Sequence, residues 1–113
     1  MKYKVIPTPE FIKNIKSLKK RYKNIKNDVL ELATELEENP TMGIELGNNT
    51  FKVKIKNRDN NKGKSAGYRV ITYLISEDNE IYLITIYSKS DKENILDLEL
   101  KNLINSVLKM DTV

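Results

Sequence analysis

The stretch FKVKIK, residues 51–56, alternates strictly between apolar and basic side chains. Because successive side chains of a β-strand point to opposite faces, this stretch predicts a strand with one buried apolar face. The other face then carries Lys52, Lys54 and Lys56 in a row, with neighbours roughly 7 Å apart. A bound anion relieves the repulsion within such a row, but exposed lysines also protect an edge strand from aggregation. From this pattern alone, nucleic-acid contact and edge protection are both open.

Two more strands are predicted downstream, over residues 68–75 and 81–87, with the polar turn 76–80 between them. Both are rich in β-branched and aromatic residues, which is typical of strands that form a hairpin. Their nearly continuous apolar character indicates that both faces of the hairpin are covered. Arg69 interrupts the apolar run at its start. We expect either a buried arginine paired with a carboxylate or a ligand for phosphate.

Upstream, the sequence predicts a short strand at residues 3–6 and then a helical hairpin. Thr8 is the expected N-cap of the first helix, because proline follows it at the first helical position. Apolar residues then recur every three or four positions over residues 11–36, which is typical of helices that pack on a core. We place a break in this stripe near Asn24 and the end of the second helix at Asn39, since the next residue is proline.

The C-terminal region predicts a third helix, because leucine, isoleucine and valine again recur at spacings of three and four. These residues are Leu96, Leu100, Leu103, Ile104, Val107 and Leu108. The whole pattern indicates an α+β fold, in which a small, mainly antiparallel β-sheet packs against the N-terminal helical hairpin and a C-terminal helix follows. A length of 113 residues suits a single domain over residues 1–113.

Composition restricts the chemistry, because the chain contains neither cysteine nor histidine. Their absence excludes disulfides, thiol nucleophiles, Cys/His zinc sites and general base catalysis by imidazole. A reaction on this chain therefore depends on lysine, arginine, tyrosine, carboxylates or backbone dipoles, and we expect no metal site and no cofactor. The sequence has neither an apolar run long enough to cross a bilayer nor the apolar segment of a signal peptide. We expect a cytoplasmic protein with no membrane contact.

The charges are arranged in blocks of alternating sign. Residues 1–27 carry a net charge of +8 and residues 28–50 a net charge of −6, while residues 51–69 return to +6 and the rest of the chain carries −4. Such an arrangement can give a folded domain one basic and one acidic face, and a basic face suits a polyanion. For the first block, an ordinary solvated helix surface is the simpler interpretation.

Three segments in this order resemble the RelE/ParE toxin superfamily: FKVKIK at 51–56, KGKSAGYRVI at 62–71 and IYSKSD at 86–91. The glycine-lysine-serine loop and the end of the last strand are most similar to its HigB-like branch, and the likeness extends over nearly the whole chain. Members of this superfamily pack a sheet on two helices. RelE- and HigB-type members cleave mRNA in the ribosomal A site without a metal, and a co-encoded antitoxin holds them inactive.

The resemblance therefore implies the toxin of a type II toxin–antitoxin system, a ribosome-dependent mRNA endoribonuclease that inhibits translation. Its implied partners are the ribosome, mRNA and a cognate antitoxin, expected to be a small DNA-binding protein. RNA cleavage of this kind needs deprotonation of a ribose 2′-OH, stabilisation of charge on phosphorus and protonation of the leaving 5′-oxygen. In a cluster of lysines, mutual repulsion favours the neutral amine, so lysines can transfer protons in the absence of histidine.

The resemblance also assigns roles to individual residues. Phosphate contact and proton transfer fall to Lys52 and Lys54, and stabilisation of the transition-state phosphate falls to Arg69. Lys89, at the end of the last strand, is the implied second pole of the site. Further RNA contacts are expected from Lys56, Lys64 and Tyr87, although Tyr87 is equally suited to the core.

Three positions depart from the family pattern. HigB-type relatives have an arginine where this chain has Lys54 and a second glycine where it has Ala66, and RelE-type enzymes have a tyrosine in the region of Leu96. A lysine keeps the charge of an arginine but loses the bidentate fork that matches phosphate. Two other functions therefore stay open, a ParE-like inhibitor of DNA gyrase and a catalytically inactive basic binding module.

Overall fold

The computed structural model describes residues 2–60, 63–92 and 94–111. In this part of the chain, one five-stranded sheet carries a pair of helices on one face and a third helix on the other. The predicted α+β class, with its mainly antiparallel sheet, N-terminal helical hairpin and C-terminal helix, is confirmed. The elements in chain order are β1 (Lys4–Pro7), α1 (Pro9–Leu18), α2 (Ile25–Glu38), β2 (Ile44–Gly47), β3 (Thr50–Ile55), β4 (Tyr68–Ile75), β5 (Glu80–Ser88) and α3 (Asp97–Asp111).

The strands are ordered β1-β5-β4-β3-β2 across the sheet. β1 runs parallel to β5, and the other neighbouring pairs are antiparallel. The predicted hairpin of β4 and β5 is confirmed, with ends that differ from the prediction by at most one residue. Its turn ends at Asn79, which adopts a left-handed conformation with a φ of 54°, as asparagine does more readily than most residues.

The helical hairpin begins as predicted at the Thr8 N-cap. The Thr8 hydroxyl oxygen accepts a hydrogen bond from the Phe11 N–H at 3.3 Å and donates one to the Leu83 carbonyl at 2.8 Å. One side chain therefore both starts α1 and attaches it to β5. The second helix ends at Glu38, so the predicted stop before Pro40 is also confirmed.

The break between the two helices lies earlier than predicted. α1 ends at Leu18, and Asn24 is the residue before α2 rather than the end of α1. The apolar stripe conceals the break because Leu18 and Ile25, on either side of it, are both buried. Tyr22 lies between them and also packs against the core. The periodicity of the sequence therefore continues through a turn that is not helical.

The structure contains one strand that the sequence did not predict. β2 forms an outer edge of the sheet and pairs with the first half of β3, where Ile44 lies opposite Lys52. All four residues of β2 are exposed, so no burial pattern marks this strand in the sequence. Because β2 covers the edge of β3 at Lys52, edge protection can account for Lys54 but not for Lys52.

Two apolar clusters hold the layers together. The larger cluster joins the helical hairpin to one face of the sheet, and Phe11 and Ile25 are among its fully buried members. The smaller cluster joins α3 to the other face through Val107 and Ile84. The prediction that Leu96 belongs to the apolar stripe of α3 was wrong, because Leu96 precedes this helix and is 72% exposed.

We expect Thr8→Ala to lower the free energy of unfolding by about 1–2 kcal/mol, the usual cost of losing a helix N-cap in a folded protein. The cost arises because the Phe11 N–H and the Leu83 carbonyl both lose a partner. Urea denaturation followed by circular dichroism measures it. Thr8→Ser keeps the hydroxyl and is the matched control, and equal stability of Thr8→Ala and the unaltered chain would contradict the capping role.

Candidate functional site

One cross-strand row of the sheet contains three of the residues singled out in the sequence. Lys54 on β3 lies opposite Arg69 on β4, and Arg69 lies opposite Tyr87 on β5. Residues directly opposite one another share a face of the sheet, with Cβ atoms roughly 5 Å apart. The adjacent pair of Val53 and Val70 is buried in the cluster under the helical hairpin. The row of Lys54, Arg69 and Tyr87 therefore lies on the opposite face.

Lys89 lies next to this row. The ladder between β4 and β5 continues past the last strand residue, because the Lys89 N–H donates to the Gly67 carbonyl at 3.0 Å. Lys89 lies directly beyond the end of β5, two residues after Tyr87, which is the partner of Arg69. Lys54, Arg69 and Lys89, which are far apart in the sequence, come together at one end of the sheet.

Arg69 is held in place by the loop before β4. Its side chain is buried, with 3% of the residue exposed, and its Nη1 donates to the carbonyls of Lys64 at 3.0 Å and Tyr68 at 3.3 Å. The Lys64 carbonyl belongs to a single 3₁₀ turn over residues 64–66. The loop therefore fixes the direction of the guanidinium before any ligand binds.

Lys52 and Lys54 leave β3 on the same face but have different neighbours. The Lys52 Nζ donates to the side-chain carbonyl of Asn94 at 3.2 Å, which ties it to the segment before α3. Lys54 is exposed and instead borders a cavity of about 150 Å³ together with Lys56 and Lys64. The predicted row of lysines is therefore divided, with Lys52 held under α3 and the other lysines at the open end of the sheet.

The cavity beside Lys54 has an acidic wall opposite the lysines. Asp28, Glu31 and Glu35 of α2 line it. Lysines on one wall and carboxylates on the other reduce the net charge inside the cavity, so the positive potential is stronger at the rim that the lysines form. Lys56 and Lys64 are both exposed at that rim. Their predicted contact with RNA is untested, but their position leaves them accessible to it.

Tyr87 is a buried member of the row, with 6% of the residue exposed. Burial raises the pKa of its hydroxyl, and the Ile95 backbone and the positive charges of Arg69 and Lys92 oppose this by smaller amounts. The Lys92 ammonium lies 5.5 Å from the centre of the ring. Tyr87 is buried and the Lys92 ammonium lies over its ring, so the ring has no face open to a base. The predicted stacking on RNA would require neighbouring side chains to move.

Gly67 allows the close approach that sets this end of the sheet. A Cβ atom at this position would lie 2.0 Å from the carbonyl oxygen of Ile55 and 3.0 Å from the backbone nitrogen of Asn57. No side chain fits between these backbone atoms. By contrast, the departure at Ala66 is accommodated, because Ala66 contributes its carbonyl, which accepts from the Asn60 side chain at 3.0 Å. Lys62, at the start of the same loop motif, lies outside the described residues.

The loop is attached to α2 by an ion pair of Arg58 and by hydrogen bonds of Asp59, neither of which was predicted from the sequence. Arg58 donates through Nε to one carboxylate oxygen of Asp28 at 2.7 Å and through its backbone N–H to the other at 3.2 Å. Asp59 accepts from the backbone and side chain of Asn24 at 2.9 and 2.8 Å. Local sequence carries no signal for these contacts, which join residues 30 and 35 positions apart. They hold the loop against the start of α2 and so position Lys56 and Lys64.

A family model described as the RelE toxin of the RelE/RelB toxin–antitoxin system matches residues 11–111. The chain belongs to this RelE toxin family. The predicted superfamily is thereby confirmed, and the finer assignment to a HigB-like branch stays a prediction.

Solved structures of RelE proteins have the same fold. The isolated RelE toxin of E. coli matches with a TM-score of 0.57 at 14% identity, over 91% of this chain and 97% of that one. A doubly substituted E. coli RelE in the free state gives a TM-score of 0.57 at 17% identity, over 82% and 90% of the two chains. The RelBE2 toxin–antitoxin complex of Mycobacterium tuberculosis gives 0.53 at 19% identity, over 78% and 99%. At these identities, the likeness shows the fold alone.

Neither a cluster of metal-binding side chains nor a membrane-spanning helix occurs among the described residues. No group of three or more carboxylates in this part of the chain is arranged to hold a metal ion. None of the helices in it combines the length and the apolar character needed to span a bilayer.

We expect Gly67→Ala to lower the free energy of unfolding by about 1–3 kcal/mol, as overpacking against immovable backbone usually does. The added methyl group collides with the Ile55 carbonyl, so β3 and β4 must separate at the end that carries Lys54 and Arg69. Chemical denaturation measures the loss. Gly63→Ala is the control, because its Cβ meets no atom within 4 Å and only the positive φ of 82° is strained. A smaller loss for Gly67→Ala than for Gly63→Ala would contradict this account.

Proposed function

We propose that this RelE-family chain is an mRNA endoribonuclease that acts on translated messages in the ribosome. The observation that supports the proposal is the convergence of Lys54, Arg69 and Lys89 at one end of the sheet. Cations gathered around one phosphodiester can stabilise the charge that develops when a 2′-OH attacks phosphorus. In a chain without histidine, such a cluster is one of the few arrangements that can perform this reaction.

In the proposed mechanism, Arg69 stabilises the negative charge on the phosphate oxygens in the transition state. The carbonyls of Lys64 and Tyr68 orient its guanidinium, so little reorganisation is needed when the charge develops. Lys54, directly opposite Arg69, contacts the same phosphate and takes part in proton transfer. Lys89, on the other side of Arg69, provides a second proton carrier near the leaving 5′-oxygen. Lys52, whose ammonium donates to Asn94 before α3, adds positive charge beside Lys54.

The shape of the site supports dependence on the ribosome. Pockets that enclose a small ligand usually measure roughly 300–1,000 Å³, whereas the cavity beside Lys54 measures about 150 Å³. Lys54 lies instead at the open rim of this cavity, beside Lys56 and Lys64. Such a site supplies charge but does little to hold a nucleotide in the geometry for in-line attack, and the ribosome would supply that geometry. We therefore propose weak or absent activity on free RNA.

A cognate antitoxin is the second proposed partner. The open rim of Lys54, Lys56 and Lys64 presents positive charge without a deep pocket, and a segment rich in carboxylates would be attracted to it. The family model describes toxins of RelE/RelB toxin–antitoxin systems, which supports the same expectation. Co-purification with the product of the adjacent gene would identify this partner.

We expect Lys54→Ala to reduce mRNA cleavage by roughly 10²–10³-fold, the usual effect of removing one group that stabilises a developing charge. Lys54 is exposed, so the fold does not depend on it. Primer extension on a translated message after induced expression measures the cleavage. Lys54→Arg is the matched variant, because it keeps the charge and adds a bidentate fork; we expect it to retain activity.

The same experiment separates the competing functions. Growth arrest with intact messages would contradict the nuclease, and inhibition of purified gyrase in a supercoiling assay would then indicate the ParE-like function. Unchanged cleavage by Lys54→Ala together with Lys89→Ala would place the chemistry elsewhere on the chain.

We expect a chelator to leave the cleavage of mRNA unchanged, provided that the ribosomes stay intact. The reason is that side-chain cations rather than a metal ion would balance the charge on the phosphate. The measurement is cleavage by purified protein on ribosome complexes that are washed into buffer with a fixed, low magnesium concentration, with and without a chelator selective for transition metals. Loss of cleavage that added zinc or manganese restores would contradict this mechanism.

A further inference from the structure

We propose that the turn between α1 and α2, residues 19–23, is a second binding surface for the phosphate backbone of RNA, separate from the cations that would act on the scissile bond. This inference rests on the proposed function, since it takes RNA as the ligand. The turn reads KKRYK and has four basic residues in five positions. In the sequence alone, this block is most simply a solvated helix surface, and its place in the fold is what changes that interpretation.

The turn lies at the same end of the sheet as the candidate site. α1 runs along β5 in the same direction, since the Asn14 side chain accepts from the Ile86 N–H at 3.1 Å. Further along, Arg21 donates through both terminal nitrogens to the two carboxylate oxygens of Asp91, just beyond β5. Lys89 lies two residues before Asp91. The basic turn and the last cation of the site are therefore neighbours around one strand end.

Several contacts hold the turn rigidly against this end. The ring of Tyr22 meets the ring of Tyr68 edge-on, with centroids 5.7 Å apart, and Tyr68 is the residue before Arg69. The hydroxyls of Ser90 and Ser88 lower the pKa of the Tyr22 phenol, which lies close to both. Arg21 likewise lowers the pKa of Asp91. The turn thus has a fixed position relative to the end of the sheet at which Arg69 and Lys89 lie.

The lysines of the turn have no charge partner that would explain them. Lys19, Lys20 and Lys23 are exposed, and none forms an ion pair with any residue in the described ranges. Arg21 alone is compensated, by Asp91. Lys19 and Lys20 follow the C-terminus of α1, where the helix dipole favours cations, but Lys23 precedes the N-terminus of α2, where it disfavours them. Helix stability therefore does not account for the whole cluster.

The chemistry of the surface favours a nucleic-acid backbone over a protein. The centres of protein interfaces are depleted in charge and contain apolar or aromatic anchors, whereas the only large apolar residue of this turn, Tyr22, is half-buried against Tyr68. A row of ammonium groups without an apolar centre suits phosphates, because phosphate binding depends on positive charge more than on the shape of the protein surface.

The test is the salt dependence of binding to an RNA that cannot be cut. The full chain is titrated onto a fluorescent 20-nucleotide RNA with 2′-O-methyl groups throughout, and anisotropy is measured over a range of salt concentrations. For the variant Lys19→Gln, Lys20→Gln, Lys23→Gln, we expect the slope of log K against log salt to decrease in magnitude by about 2, at roughly 0.7 for each lost phosphate contact. Affinity at low salt should fall roughly tenfold or more.

The matched control is Lys2→Gln, Lys4→Gln, Lys101→Gln, which removes the same charge from exposed positions at the other end of the sheet. Lys4 lies opposite Glu80, at the start of β5, and Lys101 borders a cavity with Tyr73. We expect this control to keep most of the slope. Equal changes in the two variants would overturn the proposal, because they would show a response to net charge alone.

Thermal melting separates a binding role from a structural one. Because none of the three lysines forms an ion pair with a described residue, we expect the turn variant to melt at the same temperature as the unaltered chain or slightly higher. A lower melting temperature with an unchanged slope would also overturn the proposal. The outcome is independent of catalysis: a chain that binds through this turn but leaves translated messages intact would disprove the nuclease function and retain the second surface.

Discussion

The pairing register of β4 between β3 and β5 is the constraint on which the candidate site depends. This register sets Lys54 opposite Arg69 and Arg69 opposite Tyr87. Because side chains alternate between faces, a slip by one residue would turn Arg69 into the core under the helices and bring Tyr68 out in its place. Such a slip would bury an unpaired charge, which is strongly unfavourable. The apolar core and the cationic row therefore enforce the same register.

Close backbone contact and ion pairs reinforce that register at the end where the cations lie. Gly67 passes next to the Ile55 carbonyl at a distance that excludes any side chain, and its own carbonyl accepts from the Lys89 N–H. The pair of Arg58 and Asp28 then holds the intervening loop to α2. Residues from α2, β3, β4 and β5 are thus mechanically connected around the site, which limits how far the cations can move apart.

Much of this fold could be predicted from local patterns in the sequence, and the rest could not for identifiable reasons. Alternation at residues 51–56 identified β3 and its buried face, and the Thr8 cap identified the start of α1. β2 was missed because all four of its residues are exposed. The break after Leu18 was misplaced because apolar periodicity continues through the turn. In both cases the burial pattern does not match the backbone: β2 is a strand with no buried residue, and the turn after Leu18 continues the apolar pattern of a helix without being helical.

The site was predictable only through family likeness, since its members meet through long-range pairing. The residue types suggested a cationic site, but no local sequence pattern predicts that Lys54, Arg69 and Lys89 come together at one end of the sheet. The attachment of Arg58 to Asp28 spans 30 positions and has no local signature. For Tyr87, the sequence left RNA contact and burial in the core equally open, because tertiary packing decides between them.

The parallel pairing of the first strand with the last has a consequence for the order of events during synthesis. β1 is the first of the described strands, and its partner in the described sheet is β5, the last of them. Contacts between such distant segments form late, because the intervening chain must close a large loop. The parallel edge of the sheet therefore closes only after β5 has been made, so that one late folding step joins the first described strand to the last.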